Sequence, residues 1–229
     1  MDSSAITIIG TPISHYVQTV ILTCEEKGVP YRLVVEGHDT PEVLRSVEHR
    51  HWHPFAKIPA IEHGGMILYE TSAICRYIDL VFAGKSLVPE EPLIAARMEQ
   101  WISTINSYFH RPCISQLVSQ YVFPRGPKGL PDQESIDAAM PEINIAMDQL
   151  AAGYEDGFYL AGDNISLADL FVAPIIMQVQ QTPEGKDCLS RFSIIDTNIQ
   201  QLAQRPAFSQ VQALQHSYLP ANNCLLVAE

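Results

Sequence analysis

Residues 57–81 read KIPAIEHGGMILYETSAICRYIDLV, and the order of residue types in this stretch decides the fold. Two β-rich runs, 57–62 and 66–69, flank His63-Gly64-Gly65, and a short Gly-containing join between such runs is a hairpin signature. From Thr71 the apolar residues Ile74, Tyr77, Ile78 and Val81 recur at helical spacing. Toward the N-terminus, residues 5–9 predict a strand stopped by Gly10-Thr11-Pro12. Val17, Val20, Ile21 and Cys24 then mark a helix that closes at Lys27-Gly28. Residues 31–35 read as a second strand, and a weaker helix is expected from Pro41 to about His49. The resulting order, β-α-β-α-β-β-α, predicts a thioredoxin-like α/β domain over residues 1–83.

Residues 84–91 hold Gly, Pro and acidic residues in close succession and read as a linker. Beyond it, residues 92–229 predict an all-α domain. A long periodic stretch over 93–122 should kink at Pro112. A Pro/Gly-rich loop follows at 124–131, then helices at about 133–154, 166–180, 194–204 and 207–215, with the last ten residues as a tail.

Composition narrows the function. The chain has 229 residues, 47% of them hydrophobic, which excludes intrinsic disorder. A formal charge of -12 argues against nucleic acid and against anionic membrane surfaces as partners. No run is long and apolar enough for a membrane span, and Met1-Asp2-Ser3-Ser4 opens no secretory signal, so a cytoplasmic location is expected. Cys24, Cys75, Cys113, Cys188 and Cys224 are odd in number and widely spaced, which reads as reduced thiols.

Three short motifs carry chemistry. Ser14 opens the first helix, where redox thioredoxin folds place a reactive cysteine; its hydroxyl either caps the helix or donates a hydrogen bond to a thiolate from elsewhere. In Lys57-Ile58-Pro59-Ala60, the proline marks either an edge strand or a cis peptide that leaves Ile58 free to pair with a peptide-like ligand. Glu70-Thr71 lies at a strand-to-helix junction, where a carboxylate, a hydroxyl and free N–H groups suit a zwitterion, although Thr71 also reads as an ordinary cap.

Taken with RMEQW (97–101), YLAGDNISLADLFVAP (159–174) and QRPA (204–207), these motifs resemble the glutathione transferase family across most of the chain, most closely its serine-type phi class and microbial relatives. The resemblance implies glutathione as co-substrate, no metal, a homodimer, and transfer of the glutathione sulfur to a small electrophilic molecule, as in detoxification or secondary metabolism. It assigns Ser14 to the sulfur, Ile58 beside Pro59 to the cysteinyl backbone, Glu70 and Thr71 to the γ-glutamyl end, and Lys57 and Arg45 to the glycyl carboxylate. It places Ile13, Tyr108, His110, Arg111, Ser115, Ser119 and Phe123 around the electrophile. Two positions depart from the family pattern: Leu44-Arg45 stands where relatives often carry His-Lys, and Gln18-Thr19 where an arginine is usual. In the tyrosine-type classes the catalytic position falls on Gly10, so Tyr16 is no substitute. Glutathione-dependent isomerase or lyase chemistry and a non-catalytic glutathione-binding module are the competing readings.

Two further signals carry no catalytic role. His49, His51 and His53 alternate, but they are expected in a loop ahead of Pro54 with no further ligand spaced to complete a metal site. Ser166-Leu167-Ala168-Asp169 reads as a capping box that anchors a buried helix.

Overall fold

The computed structural model describes residues 5–35 and 44–219. They form two compact units, one reaching to Val88 and including Pro206–Tyr218, the other spanning Pro89–Arg205. Pro41 and Cys224 lie outside the described residues.

The first unit is built on four strands, β1 (Ile6–Ile9), β2 (Tyr31–Val34), β3 (Ala60–His63) and β4 (Met66–Tyr69), in the order β2-β1-β3-β4. β1 pairs parallel with β2 and antiparallel with β3, with Ile8 opposite both Leu33 and Ile61. Its isoleucines Ile6, Ile8 and Ile9 are fully buried, as expected of an interior strand covered on both faces. The Gly64-Gly65 turn closes the β3–β4 hairpin, and both glycines have positive φ.

Helix α1 (His15–Lys27) connects the parallel pair and buries Val17, Val20, Ile21 and Cys24. It also buries Gln18, Thr19 and Thr23, since it packs against both α3 (Thr71–Val81) and α10 (Pro206–Tyr218). Each polar side chain is satisfied locally: Thr19 and Thr23 donate to carbonyls one turn back, and Gln18 Nε2 donates to the Pro12 carbonyl at 2.7 Å. Gly28 ends the helix in the left-handed conformation. On α3 the buried face is Ile74, Cys75 and Ile78; Val81, expected on that face, is half exposed because the helix ends there.

Helix α2 (Val47–Trp52) corrects the reading of its region. His49 and His51 sit on this helix rather than in a loop, and the Ser46 hydroxyl caps it by accepting from His49 N at 3.1 Å. Pro59 is likewise no edge-strand proline. It stands just ahead of β3, which is flanked by strands on both sides and has no place for a residue without an N–H.

In the second unit, α4 (Pro92–Thr104) starts at Glu91, whose carboxylate accepts from Leu93 N and Ile94 N. The chain then winds as a π-helix over Ile105–Val118 and ends in α5 (Ser119–Val122). Pro112 therefore sits inside a continuous helical run rather than at a break. The wider ring of the π winding moves the carbonyl that a proline would otherwise strike one turn back. Helices α6 (Gln133–Gly153), α7 (Leu167–Val179), α8 (Pro183–Leu189) and α9 (Ser193–Ala203) complete the unit. Nearly every residue of α7 is buried, making it the central helix of the unit. Its capping box is formed: Asp169 accepts from Ser166 N at 2.8 Å, Ser166 Oγ at 2.9 Å and Leu160 N at 3.0 Å.

A buried ion pair and a buried carboxyl generate predictions. Lys27 Nζ lies 3.1 Å from Asp79 Oδ1 with both side chains shielded from solvent. Asp79 also accepts from Ser86 Oγ and Leu87 N, tying the ends of α1 and α3 to the segment that leaves the unit. Asp79→Ala strands the ammonium and two donors, so a stability loss of about 3–5 kcal/mol is expected in urea unfolding. A loss below about 1 kcal/mol contradicts the arrangement.

Burial raises the Asp169 carboxyl to about 6, against the pull of its hydrogen-bond donors. A folded-state value above the unfolded one contributes stability that is complete in acid and declines as pH rises through about 6. Wild-type stability relative to Asp169→Asn should therefore fall by about 2 kcal/mol between pH 4 and 7. A difference that stays constant across that range contradicts the raised carboxyl.

Candidate functional site

The site in the first unit starts from the end of β1. Gly10 has φ +147°, and a methyl group there would lie 2.7 Å from Val17 Cγ2 and 3.1 Å from Ile58 Cβ. The missing side chain lets the β1–α1 turn close against the segment before β3. Ser14 N donates to the Thr11 carbonyl at 3.1 Å, and the Gln18 side chain holds Pro12, so the turn is fixed from both ends.

Ser14 occupies the N-cap position of α1, yet its side chain makes no capping hydrogen bond. The hydroxyl therefore stands at the positive end of a helix dipole without being consumed by the helix. Three residues earlier, the Thr11 hydroxyl is buried with no partner among the described residues.

The second wall is the segment after α2. His49 Nε2–H donates to the Lys57 carbonyl at 2.7 Å, fixing this segment to the helix. His53 is buried, packs at a tilt against Tyr69 with ring centroids 4.8 Å apart, and accepts from Phe55 N through Nδ1 at 3.3 Å. Burial pulls the His53 imidazole below its ordinary value, with the Glu70 charge opposing. The Ile58–Pro59 peptide is cis, and among the described residues no hydrogen bond engages the Ile58 main chain.

The third wall is the β4–α3 junction. Glu70 has φ +71°, a region that side chains rarely adopt, and takes the N-cap position of α3 without capping it. Ile74 N closes on the Glu70 carbonyl at 2.9 Å, so Thr71 and the two residues after it have no acceptor within the helix. Thr71 is buried at the first helical position, not at the cap. The Glu70 charge reaches both Tyr16 and His53: burial and then Glu70 push the Tyr16 phenol up to about 12, so it forms no phenolate at neutral pH.

Ser14, Ile58, Glu70 and Thr71 thus share one region of the first unit. Lys57 is exposed beside them, and Arg45 is exposed one residue before the α2 cap, with no contact linking it to the others. His53, His49, Gly10 and Thr11 support these residues, in roles that the motifs alone do not specify. Only their buried setting distinguishes them.

In the second unit, Phe109, Pro112, Cys113 and Leu117 turn inward, while Tyr108 and Phe123 are exposed apolar residues. The His110 ring approaches Ser115 Oγ at 3.5 Å, and Ser119 Oγ donates to the Ser115 carbonyl. Arg111 is exposed and lies 3.7 Å from Glu142 on α6. Ile13 is half-buried in the β1–α1 turn of the first unit.

None of the described cysteines supplies a nucleophile. Cys24, Cys75, Cys113 and Cys188 are all buried and unpaired, and burial raises every one of these thiols, Cys75 and Cys113 to about 12. No group of three or more His, Cys, Asp or Glu among the described residues is placed to hold a metal ion. The first unit therefore offers a donor hydroxyl, an open backbone segment, and a carboxylate beside free N–H groups. That set suits a peptide-like zwitterion.

Comparison with known proteins fits this geometry. Residues 8–86 match the glutathione S-transferase N-terminal domain, and residues 110–206 match the glutathione S-transferase C-terminal domain. The chain is 30% identical over 211 residues to glutathione S-transferase 3 of Zea mays, covering 89% of this chain and 91% of that protein. It is 28% identical to glutathione S-transferase GstB of Escherichia coli strain K12, covering 90% and 97%. The crystal structure of glutathione transferase F7 from Populus trichocarpa superposes with a TM-score of 0.80 at 26% identity, covering 92% of this chain and 99% of that one. With both domain models matched in order and relatives aligned over nearly their whole length, the chain belongs to the glutathione S-transferase family.

Proposed function

We propose that this protein is a glutathione transferase whose first unit binds glutathione and whose Ser14 hydroxyl keeps the bound sulfur as a thiolate. The observation that carries the reading is the uncommitted Ser14 side chain at the N-terminus of α1. A capping hydroxyl is held toward the helix by the N–H groups it accepts from, whereas this one is free to turn its O–H toward a ligand.

In this reading the Ile58 main chain pairs with the cysteinyl residue of glutathione by strand addition. Glu70 takes the ammonium of the γ-glutamyl end, while Thr71 and the α3 N–H groups take its carboxylate. Lys57 and Arg45 supply positive charge for the glycyl carboxylate. A free thiol has a pKa of about 8.5, so little is ionised at neutral pH. The helix N-terminus and the Ser14 hydrogen bond together lower it by roughly two units, worth about 2.7 kcal/mol. Proximity to an electrophile then supplies the rest of the rate.

We assign the electrophile to Tyr108, His110, Arg111, Ser115, Ser119 and Phe123 of the second unit. The exposure of Tyr108 and Phe123 and the polar His110–Ser115 pair favour an aromatic substrate with a polar group. A phi-like class, a cytoplasmic location and a role in detoxification or secondary metabolism are further parts of this proposal, as is a homodimer. Exposed Phe55, Leu80 and Val81 on the first unit support burial against a second copy.

Conjugation of glutathione to a chloronitrobenzene tests the reading. Ser14→Ala should leave the KM for glutathione within a few-fold, lower kcat at neutral pH by at least tenfold, and move the pH–rate profile alkaline by at least one unit. A profile that does not move removes Ser14 from the mechanism.

A further inference from the structure

At the far end of α1 from Ser14, the first unit carries a cavity of about 560 Å³. The rise along a helix from residue 14 to residue 25 is about 16 Å, so this cavity is separate from the site described above. Its walls come from the end of α1, the edge strand β2 and α10. Val29, Pro30, Leu33 and Leu214 make those walls largely apolar. Tyr31 and Leu33 share one face of β2, while Arg32 between them faces away and reaches Thr7 Oγ1 at 3.5 Å.

The polar groups of the cavity form one chain. Gln210 Nε2 donates to Tyr31 OH at 3.5 Å, and Tyr31 OH donates to Glu25 Oε1 at 2.8 Å. Burial and the hydrogen bond to Glu25 raise the Tyr31 phenol, which therefore stays a neutral donor. Glu25 is the one acidic side chain on the walls, and its Oε2 has no partner among the described residues. A cavity of this volume with apolar walls and a few convergent polar groups has the make-up of a small-molecule site. Its net negative charge selects the sign of the ligand.

We propose that this cavity binds a small hydrophobic amine, with its apolar body between Leu33 and Leu214 and its ammonium on Glu25 Oε2. The contact is a charge-assisted hydrogen bond at the edge of an apolar wall, the arrangement in which one carboxylate contributes most.

Calorimetry on the full chain with naphthylmethylamine, in the presence of saturating glutathione, tests the proposal. One amine per chain should bind, naphthoate should not, and Glu25→Gln should weaken the amine at least tenfold while leaving chloronitrobenzene conjugation unchanged. Leu214→Arg places a cation in the apolar wall from a half-exposed position and should abolish amine binding with the fold intact. The proposal is overturned by no amine binding, by equal binding to Glu25→Gln or Leu214→Arg, by equal uptake of naphthoate, or by displacement with glutathione.

Discussion

There is no room for a side chain at residue 10, and the functional architecture of the first unit follows from that. A Cβ on Gly10 would enter the van der Waals shells of Val17 and Ile58 at once. Its absence lets the last turn of β1 lie directly on the segment before β3. The mouth of α1 and the open Ile58 backbone are thereby held side by side by packing that leaves no slack. The His49 bond to the Lys57 carbonyl and the Gln18 bond to the Pro12 carbonyl stiffen the two halves of that contact. Polar side chains buried for support are a recurring device here.

The electrostatics of the site divide into buried groups kept neutral and exposed charged side chains at its rim. Tyr16 and the buried cysteines are held neutral by burial, and His53 is biased the same way. Glu70 is exposed, and its charge reaches both Tyr16 and His53. Among the described residues of this site there is no ionised thiol or phenolate, which suits a ligand that brings its own sulfur. In the proposed function, the protein would stabilise that sulfur as an anion at a helix N-terminus, where fixed dipoles need no reorganisation.

Features specified by neighbouring residues were legible in the sequence. The Gly64-Gly65 hairpin, the Gly28 helix stop and the Ser166/Asp169 capping box each declare themselves within a few positions. The turn before α1 was legible for the same reason. Features set by distant packing were not. The π winding over Ile105–Val118 depends on how that helix packs against α6 and α7, and Pro112 alone suggests only a kink. Helix α8 was missed although Thr182 caps Gly185 N at 3.1 Å with Pro183 in the first turn, because Gly185 argues against helix when read by propensity alone. The histidines of α2 looked like loop residues for want of an apolar stripe, since a helix this short buries only His49. At the site, motifs pointed to Ser14, Ile58, Glu70 and Thr71. Thr11 and His53 owe their setting to burial that no local pattern encodes.

The central claim is that this polypeptide makes a borrowed sulfur anionic. Thiolate absorbance of glutathione bound to the protein, titrated in the ultraviolet without any electrophile, measures that directly. The account predicts an ionisation midpoint near 6.5, about two units below that of the free tripeptide thiol. A midpoint for the bound thiol equal to that of free glutathione contradicts it.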